Sequence, residues 1–151
     1  MKCRHCKNQL QYVFLDLGFA PPSNAYLSLD GLNAPELHFP LKLLVCEQCW
    51  LVQTEDYANA DELFTNDYAY FSSISKSWLN HSLAYFKLVR KRFSLNSNSY
   101  VIEVASNDGY LLKNFFAGNI PCLGIEPTAS TAAEAEGLGI PVIREFFSSF
   151  E

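Results

Sequence analysis

The chain has 151 residues, which is enough for one ordinary domain or two small ones. Hydrophobic residues make up 49% and aromatic residues 15% of the sequence, so a packed core can form. The net charge of −5 argues against a nucleic-acid binder, because no basic surface is available to neutralise phosphates. No apolar run approaches the length of a membrane span, and the first residues lack the apolar core of a signal peptide. We therefore expect a cytoplasmic protein with neither a nucleic-acid nor a membrane partner.

Four of the five cysteines form two C-x-x-C units, which are Cys3 with Cys6 and Cys46 with Cys49. Each unit presents two thiolates on a tight turn, and two such turns complete the tetrahedral four-sulfur site that zinc prefers. Disulfides are the competing interpretation, but a reducing cell interior disfavours them. Because four thiolates leave no coordination position for water, we expect the zinc to be structural.

Other residues near these cysteines offer weaker alternatives. His5 and His38 could replace a cysteine as ligands, although surplus polar residues near the site explain them more simply. Cys122 lies within a predicted strand and is interpreted as a small buried hydrophobic residue.

Residues 1–57 are predicted to form a small β-rich zinc domain. The turn-forming residues in 15–18 and 21–24 indicate a connector between the two C-x-x-C units, while 37–45 and 50–54 are predicted to be extended. A domain of this size buries too little surface to be stable by itself, so a bound metal is expected to stabilise its fold.

Residues 58–96 are predicted to form a helical linker segment. A short helix is expected at 61–64, followed by the aromatic segment 68–73 and a long helix over 73–93. Segment 68–73 offers hydroxyls to a ligand, but aromatic packing with a serine N-cap explains it equally well. The apolar stripe of the long helix is assigned to the core and consists of Ile74, Trp78, Tyr85, Phe86, Val89 and Phe93.

Residues 97–151 alternate between strand and helix patterns. The order predicts the first βαβαβ half of a parallel, doubly wound sheet of the Rossmann type, so the fold class is α/β. The predicted elements are strand 100–104, loop 105–109, helix 110–116, strand 120–126, helix 128–138 and strand 140–146.

The loop at 105–109 joins the first strand to the first helix of this sheet. Strand, small-residue loop and helix is the geometry that lets a backbone approach a ligand closely. Glu126 follows about twenty residues later, where nucleotide-binding folds need a carboxylate for ribose hydroxyls. Ala105 and Asn107 stand where glycines are common, so an ordinary turn without a ligand remains open.

These motifs together resemble one family, the S-adenosylmethionine-dependent C-methyltransferases that act on nucleotide-linked deoxysugars. The resemblance spans nearly the whole chain. It rests on the four paired cysteines, Leu17-Gly18, Pro22, Asn24, Phe39-Pro40-Leu41, the segment Tyr68–Ser73, the run Glu103–Leu112 and Gly124-Ile125-Glu126-Pro127.

The resemblance implies a zinc domain followed by a class I methyltransferase domain and a further C-terminal α/β domain. It implies zinc and S-adenosylmethionine as cofactors and a nucleotide-sugar as substrate. In such enzymes a base removes a proton next to a keto group, and the enolate carbon attacks the cofactor's methyl group. The residues that it assigns to the cofactor are Tyr70, Ser73, Glu103, Ala105, Ser106, Asn107, Asp108, Gly109, Glu126 and Pro127.

The sequence ends at Glu151, just after the third predicted strand of the sheet. The family's base and most sugar-binding residues resemble groups beyond this point, so no catalytic residue is assigned and the chain alone is expected to be inactive. The edge beside 101–104 is expected to lack a neighbouring strand, which predicts self-association through that edge. Two other functions stay open, a non-catalytic zinc-ribbon interaction module and a remnant that binds S-adenosylmethionine without turnover.

Overall fold

A computed structural model describes residues 1–55, 57–66 and 68–147. The chain divides into two compact units, Met1–Leu63 and Phe64–Glu151, which we name the cysteine unit and the parallel-sheet unit. The prediction of three segments, 1–57, 58–96 and 97–151, stays a prediction. Among the described residues, no helix combines the length and the apolar character that crossing a membrane requires.

The cysteine unit is built on a three-stranded antiparallel sheet in the order β1-β2-β3. The strands are β1 at Tyr12–Ala20, β2 at Phe39–Val45 and β3 at Val52–Thr54. A 3-10 helix at Asp30–Asn33 lies in the connection between the first two strands, and the short helix α1 follows at Ala60–Leu63. The two extended regions and the short helix predicted from the sequence are thereby confirmed.

Strand β1 corrects the predicted connector at 15–18. These residues lie inside the strand, whose pairing with β2 shifts register between Asp16 and Phe19. Gly18 has φ of 77° at this shift, and its amide donates to the Asp16 carboxylate at 2.9 Å. A bulge in a strand uses the same left-handed glycine as a turn, which is why the sequence pattern predicted a connector here.

The core of the cysteine unit is very small. Among the residues that the structure describes, its buried hydrophobic cluster contains only Leu10 and Leu44 besides Cys3 and Cys46. Eight of the nine residues of β1 are exposed. Two buried leucines cannot offset the conformational entropy lost by about sixty ordered residues, so the unit depends on its cysteine centre.

The parallel-sheet unit follows the predicted βαβαβ order. Strand β4 pairs parallel with β5, and β5 pairs parallel with β6. Its elements are helix α2 at Lys76–Phe93, β4 at Val101–Val104, α3 at Leu112–Ala117, β5 at Cys122–Ile125, α4 at Ala129–Gly137 and β6 at Val142–Ile143. The third strand is therefore shorter than the predicted 140–146. Residues 148–151 lie outside the described residues.

One hydrophobic core joins α2 and α3 to the sheet. The rings of Phe86 and Phe115 meet edge to face, with centroids 4.9 Å apart. The same buried cluster contains Cys122, which confirms its interpretation as a small hydrophobic residue. This core fixes α2 against the first strand–helix unit and places the loop after β4 at the carboxyl end of the sheet.

Helix α2 differs from the predicted helix over 73–93 at its start. Ser75 is the N-cap, and its hydroxyl accepts a hydrogen bond from the Trp78 amide at 3.3 Å. Residues 72–74 form a separate 3-10 turn, so Ile74 lies outside the helix and is 79% exposed. The buried face of α2 consists of Ser82, Phe86 and Val89, which corrects the wider predicted stripe.

Candidate functional site

The Sγ atoms of Cys3, Cys6, Cys46 and Cys49 form one tight cluster. All four lie within 4.8 Å of one another, with the Sγ atoms of Cys3 and Cys49 3.6 Å apart and those of Cys6 and Cys46 3.4 Å apart. Four sulfurs about 2.3 Å from a tetrahedral zinc ion stand about 3.8 Å apart. The cysteines are free thiols, and these separations far exceed the ~2.05 Å of a disulfide. The donor set and spacing therefore fit zinc.

The same backbone turn holds each pair of sulfurs. The Lys7 amide donates to the Cys3 carbonyl at 3.0 Å, and the Trp50 amide donates to the Cys46 carbonyl at 2.8 Å. Lys7 and Trp50 both adopt the left-handed conformation, with φ of 64° and 63°. The first turn precedes β1 and the second joins β2 to β3, so the antiparallel sheet brings two equivalent turns to one centre.

Gln53 supports this centre from β3, and the C-x-x-C pattern did not reveal it. Its side chain is only 4% exposed. Its Nε2 donates to the Cys3 Sγ at 3.3 Å, and its Oε1 accepts from the Arg4 amide at 3.0 Å. Hydrogen bonding from the Cys6 amide, helped by Gln53, lowers the pKa of Cys3 to about 6. Cys3 is therefore ready to bind a metal as a thiolate at neutral pH.

None of the three histidines belongs to this cluster. Within the described residues, the metal-binding group consists of the four cysteines alone. The His38 Nδ1 lies 3.3 Å from the Glu36 carbonyl oxygen, and the His81 ring stacks on Trp78 at 5.1 Å. The interpretation of His5 and His38 as surplus polar residues is retained.

The loop at 105–109 has a glycine-like backbone without the usual glycines. Ala105 and Asn107 have φ of 57° and 50°, and Gly109 has φ of 75°. The Ser106 and Gly109 amides donate to the carbonyls of Ile125 and Ser106, at 3.2 and 3.1 Å. The loop is thus folded on itself and hydrogen-bonded to β5. Because the Ser106 and Gly109 amides are used within the protein, the loop would contribute to a ligand site mainly through its shape.

Glu126 ties this loop to the end of β5. Its Oε2 accepts from the Asn107 amide at 2.8 Å, and its Oε1 accepts from the Thr128 amide at 3.0 Å and from the Thr128 hydroxyl. A carboxylate offers about four acceptor positions. Three are used by these protein donors, which leaves Oε2 with one position for a ligand.

A cavity of about 320 Å³ lies at the carboxyl ends of β4 and β5, and we name it the strand-end cavity. Aromatic and aliphatic side chains form most of its wall, and Glu126 and Glu145 are its acidic residues. Its lining consists of Phe64, Tyr68, Tyr70, Val104, Ala105, Asn107, Ile125, Glu126, Pro127, Glu145, Phe146 and Phe147.

The residues assigned to the cofactor from the sequence divide into two groups. Those that line the strand-end cavity are Tyr70, Ala105, Asn107, Glu126 and Pro127. The others contact neighbouring parts of the protein: the Ser73 amide donates to the Asp108 carboxylate at 2.9 Å, and Ser106 is fully buried against Gly124. Gly109 packs on Ala135 and Ile140, where a Cβ atom would lie only 2.7 Å from the Ile140 Cδ1.

Three aromatic residues of the cavity, Phe64, Phe146 and Phe147, were not predicted, and Tyr68 was noted only as part of segment 68–73. Phe64, Tyr68, Phe146 and Phe147 belong to segments before α2 and after β6. The Phe64 ring contacts Tyr68 and Phe146 at centroid distances of 5.4 and 6.5 Å. The aromatic character of segment 68–73 was visible in the sequence, but its contact with the end of the chain was not.

Glu103, the remaining cofactor candidate, lies at a second polar cluster on β4. The Trp78 and Tyr110 rings have centroids 5.9 Å apart, and the Tyr110 side chain lies close enough to the Glu103 carboxyl to act on its pKa. Burial, reinforced by the nearby Asp108 carboxylate, raises the pKa of Glu103 to about 7 against the opposing effect of Tyr110. The Glu103 Oε2 is buried without a hydrogen-bond partner among the described residues.

Comparisons with known proteins address both units. Residues 3–64, which include all four clustered cysteines, match a family described as "Putative zinc binding domain". A curated relative, the C-methyltransferase NovU of Streptomyces niveus, is 27% identical over 148 residues. The resemblance to part of a C-methyltransferase is confirmed. The match covers 98% of this chain and 35% of NovU, so the chain spans about a third of the length of this relative.

Proposed function

We propose that the chain is the N-terminal portion of an S-adenosylmethionine-dependent C-methyltransferase that methylates a ring carbon of a nucleotide-linked keto-deoxysugar. In this proposal the zinc centre is structural, and the parallel-sheet unit is the first half of a class I methyltransferase domain. The similarity to NovU supports methyl transfer to carbon. The assignment of a nucleotide-linked sugar as the substrate rests on the motif resemblance described above.

The remaining acceptor position of Glu126 is the observation that carries the cofactor assignment. This carboxylate is 5% exposed and opens on the strand-end cavity, beside a loop whose left-handed residues keep the backbone close. Such a position suits one ribose hydroxyl, which donates a hydrogen bond. The carboxylates of Glu126 and Glu145 disfavour a phosphate in the same space, so the cavity is better matched to a nucleoside without a phosphate.

The other cavity residues would bind and enclose the cofactor. The rings of Tyr68, Tyr70 and Phe146 form apolar surfaces on which an adenine base can stack. S-adenosylmethionine would supply an electrophilic methyl group on its sulfonium, and the surrounding apolar side chains would limit the access of water. We assign no catalytic base among the described residues.

A calorimetric titration of S-adenosylhomocysteine into the protein tests this proposal. Glu126→Gln keeps one acceptor oxygen but removes the charge, so affinity should fall by about ten- to a hundredfold, as for a charge-assisted hydrogen bond of roughly 1.5–3 kcal/mol. Glu145→Gln removes the same charge from the same cavity and should change the affinity by less than about threefold, as expected for a screened, exposed charge. Binding without an effect of Glu126→Gln, or no binding at all, would refute the cofactor assignment.

The exposed face of β1 favours a second candidate, a non-catalytic zinc-ribbon interaction module. Val13, Leu17 and Phe19 are each more than half exposed, which is typical of a surface that another molecule covers. Failure to bind S-adenosylhomocysteine would favour this module. Binding without methylation of any nucleotide-linked keto-sugar by the full-length protein would instead favour a remnant that only holds the cofactor.

We also propose that the free edge of β4 mediates self-association. Among the described strands, β4 pairs only with β5, and its Ile102 and Val104 side chains are 56% and 49% exposed. An apolar strand with unpaired backbone groups invites a further strand. Sedimentation at tens of micromolar should show a dimer or larger species that Ile102→Lys reduces to monomer, and a monomeric unmodified chain would refute this proposal.

A further inference from the structure

The segment Tyr68–Ser73, which we name the strap, runs along the strand-end cavity. Tyr68 and Tyr70 contribute two of the aromatic walls of the cavity. Tyr70 is also 51% exposed to solvent. The strap therefore forms part of the boundary between the cavity and water.

Side chains of the loop after β4 hold the strap from Tyr70 to Ser73. The Asn107 Nδ2 donates to the Tyr70 carbonyl at 3.0 Å, and the Asn107 Oδ1 accepts from the Ser72 amide at 2.9 Å. The Asp108 Oδ2 accepts from the Ser73 amide at 2.9 Å. Asn107 thus uses both the donor and the acceptor of its side-chain amide on one segment, a pairing that aspartate and alanine cannot reproduce.

The backbone of Asn107 joins this latch to the cavity. Its amide donates to the Glu126 carboxylate, while its left-handed φ of 50° turns the side chain toward the strap. Asparagine is one of the few side-chain-bearing residues that adopt this conformation readily. One residue therefore connects the acid that faces the cavity with the segment that covers it.

The N-terminal half of the strap is held separately by α4. The Ser130 hydroxyl donates to the Tyr68 carbonyl at 2.9 Å, and the Ser130 amide donates to the Asn66 carbonyl at 3.1 Å. Hydrogen bonds therefore hold the strap at both ends, at Tyr68 and at Ser73. Between these ends, the described hydrogen bonds hold Tyr70 only through its carbonyl, which accepts from Asn107. Releasing the Asn107 contacts would free the strap around Tyr70 and Ser72, while Ser130 still holds Tyr68 and Asp108 still holds Ser73.

We propose that Asn107 and Asp108 are positioning residues that latch the strap over the strand-end cavity, so that release of the strap controls how fast a bound nucleoside leaves. The effect on release of a nucleoside rests on the proposed function, whereas the contacts of Asn107 and Asp108 with the strap do not. This assignment differs from direct cofactor contact by these two side chains, because it predicts an effect in the protein without any ligand.

Amide hydrogen exchange of the ligand-free protein, followed residue by residue by NMR, tests the latch. Asn107→Gly keeps the left-handed backbone and the amide that donates to Glu126, but removes both side-chain bonds to the strap. Loss of one such hydrogen bond should lower the protection of the Ser72 amide by about tenfold. Asn119→Gly is the matched control, because Asn119 has a similar φ of 54° in the turn between α3 and β5.

Two exchange results would overturn the latch. One is unchanged protection at Ser72 in Asn107→Gly. The other is an equal loss at Ala132, whose amide bonds to the Thr128 carbonyl within α4, because that would mean that Asn107 only stabilises the whole unit. Asp108→Asn, which retains an acceptor for the Ser73 amide, should leave the protection of Ser73 within about threefold.

The rate of ligand release tests the role of the strap as a cover. Stopped-flow measurements with S-adenosylhomocysteine should show dissociation about tenfold faster in Asn107→Gly, with the association rate changed far less, since stabilising contacts act mainly on dissociation. An unchanged dissociation rate together with lost protection of the Ser72 amide would show that Asn107 holds the strap but that the strap does not control ligand release. If the unmodified protein does not bind the ligand, the proposed function and the cover fail together, and the exchange result still decides the latch.

Discussion

Replacing Glu103 by glutamine should remove a pH-dependent loss of stability from the parallel-sheet unit. Burial raises the pKa of this carboxyl to about 7 from an ordinary value of 4.5. The folded state therefore holds a proton that the unfolded chain releases between these two pKa values. Its contribution to stability is complete below pH 4.5, declines as the pH rises toward 7, and is lost above that.

The size of this effect follows from the difference between the two pKa values. At 1.36 kcal/mol for each pKa unit, the unfolding free energy should fall by up to about 3 kcal/mol between pH 4.5 and pH 8 because of this carboxyl. Water that reaches the half-buried group will reduce the value, so about 3 kcal/mol is an upper limit. Glu103→Gln keeps an acceptor for the Tyr110 hydroxyl and has no such titration.

Urea unfolding from pH 5 to pH 8 provides the assay. In a Trp50→Phe background, fluorescence reports Trp78, whose ring centroid lies 5.9 Å from that of Tyr110. The difference in unfolding free energy between Glu103→Gln and the parent should shift by up to about 2.5 kcal/mol in favour of the variant as the pH rises. Glu134→Gln, at an exposed glutamate of α4, should show no shift. A difference that does not change with pH would refute the argument that Glu103 is buried in its protonated form.

Two further substitutions test the packing of each unit. Gln53→Leu removes the donor to the Cys3 sulfur and should weaken zinc binding by about ten- to a hundredfold in a competition with a chelator, whereas Gln48→Leu, at an exposed position of the second C-x-x-C unit, should not. Gly109→Ala should destabilise the parallel-sheet unit by about 2–4 kcal/mol, because φ is 75° and the new methyl group would overlap Ile140. Gly137→Ala meets no atom within 4 Å and should be neutral or slightly stabilising in the same denaturation experiment.

The zinc centre was predictable because its chemistry is local. Each C-x-x-C unit forms its own turn, and the need for four ligands then pairs the two units whatever the path of the chain between them. The βαβαβ order was predictable for a similar reason, since each strand and helix carries its own hydrophobic period. The start of α2 was less predictable, because Ser75 caps the helix with a hydrogen bond that other serines nearby could also make.

Features that depend on distant contacts could not be predicted. Gln53 resembles any polar strand residue until β3 lies beside the first cysteine turn. Phe146 and Phe64 are far apart in sequence, and only the fold brings their rings together. Strand β1 was interpreted as a connector because the Gly18 bulge and a turn have the same local sequence signal.

The absence of glycine at position 107 has a structural reason. Glycine would adopt the observed left-handed conformation at least as easily and would leave the bond from the backbone amide to Glu126 intact. It could not supply the paired donor and acceptor that hold Tyr70 and Ser72. Asparagine accepts a modest conformational cost and gains two hydrogen bonds across the fold. Judged by spacing alone, an asparagine in place of glycine weakens the motif. In the structure, the same asparagine is the residue through which the loop holds the strap.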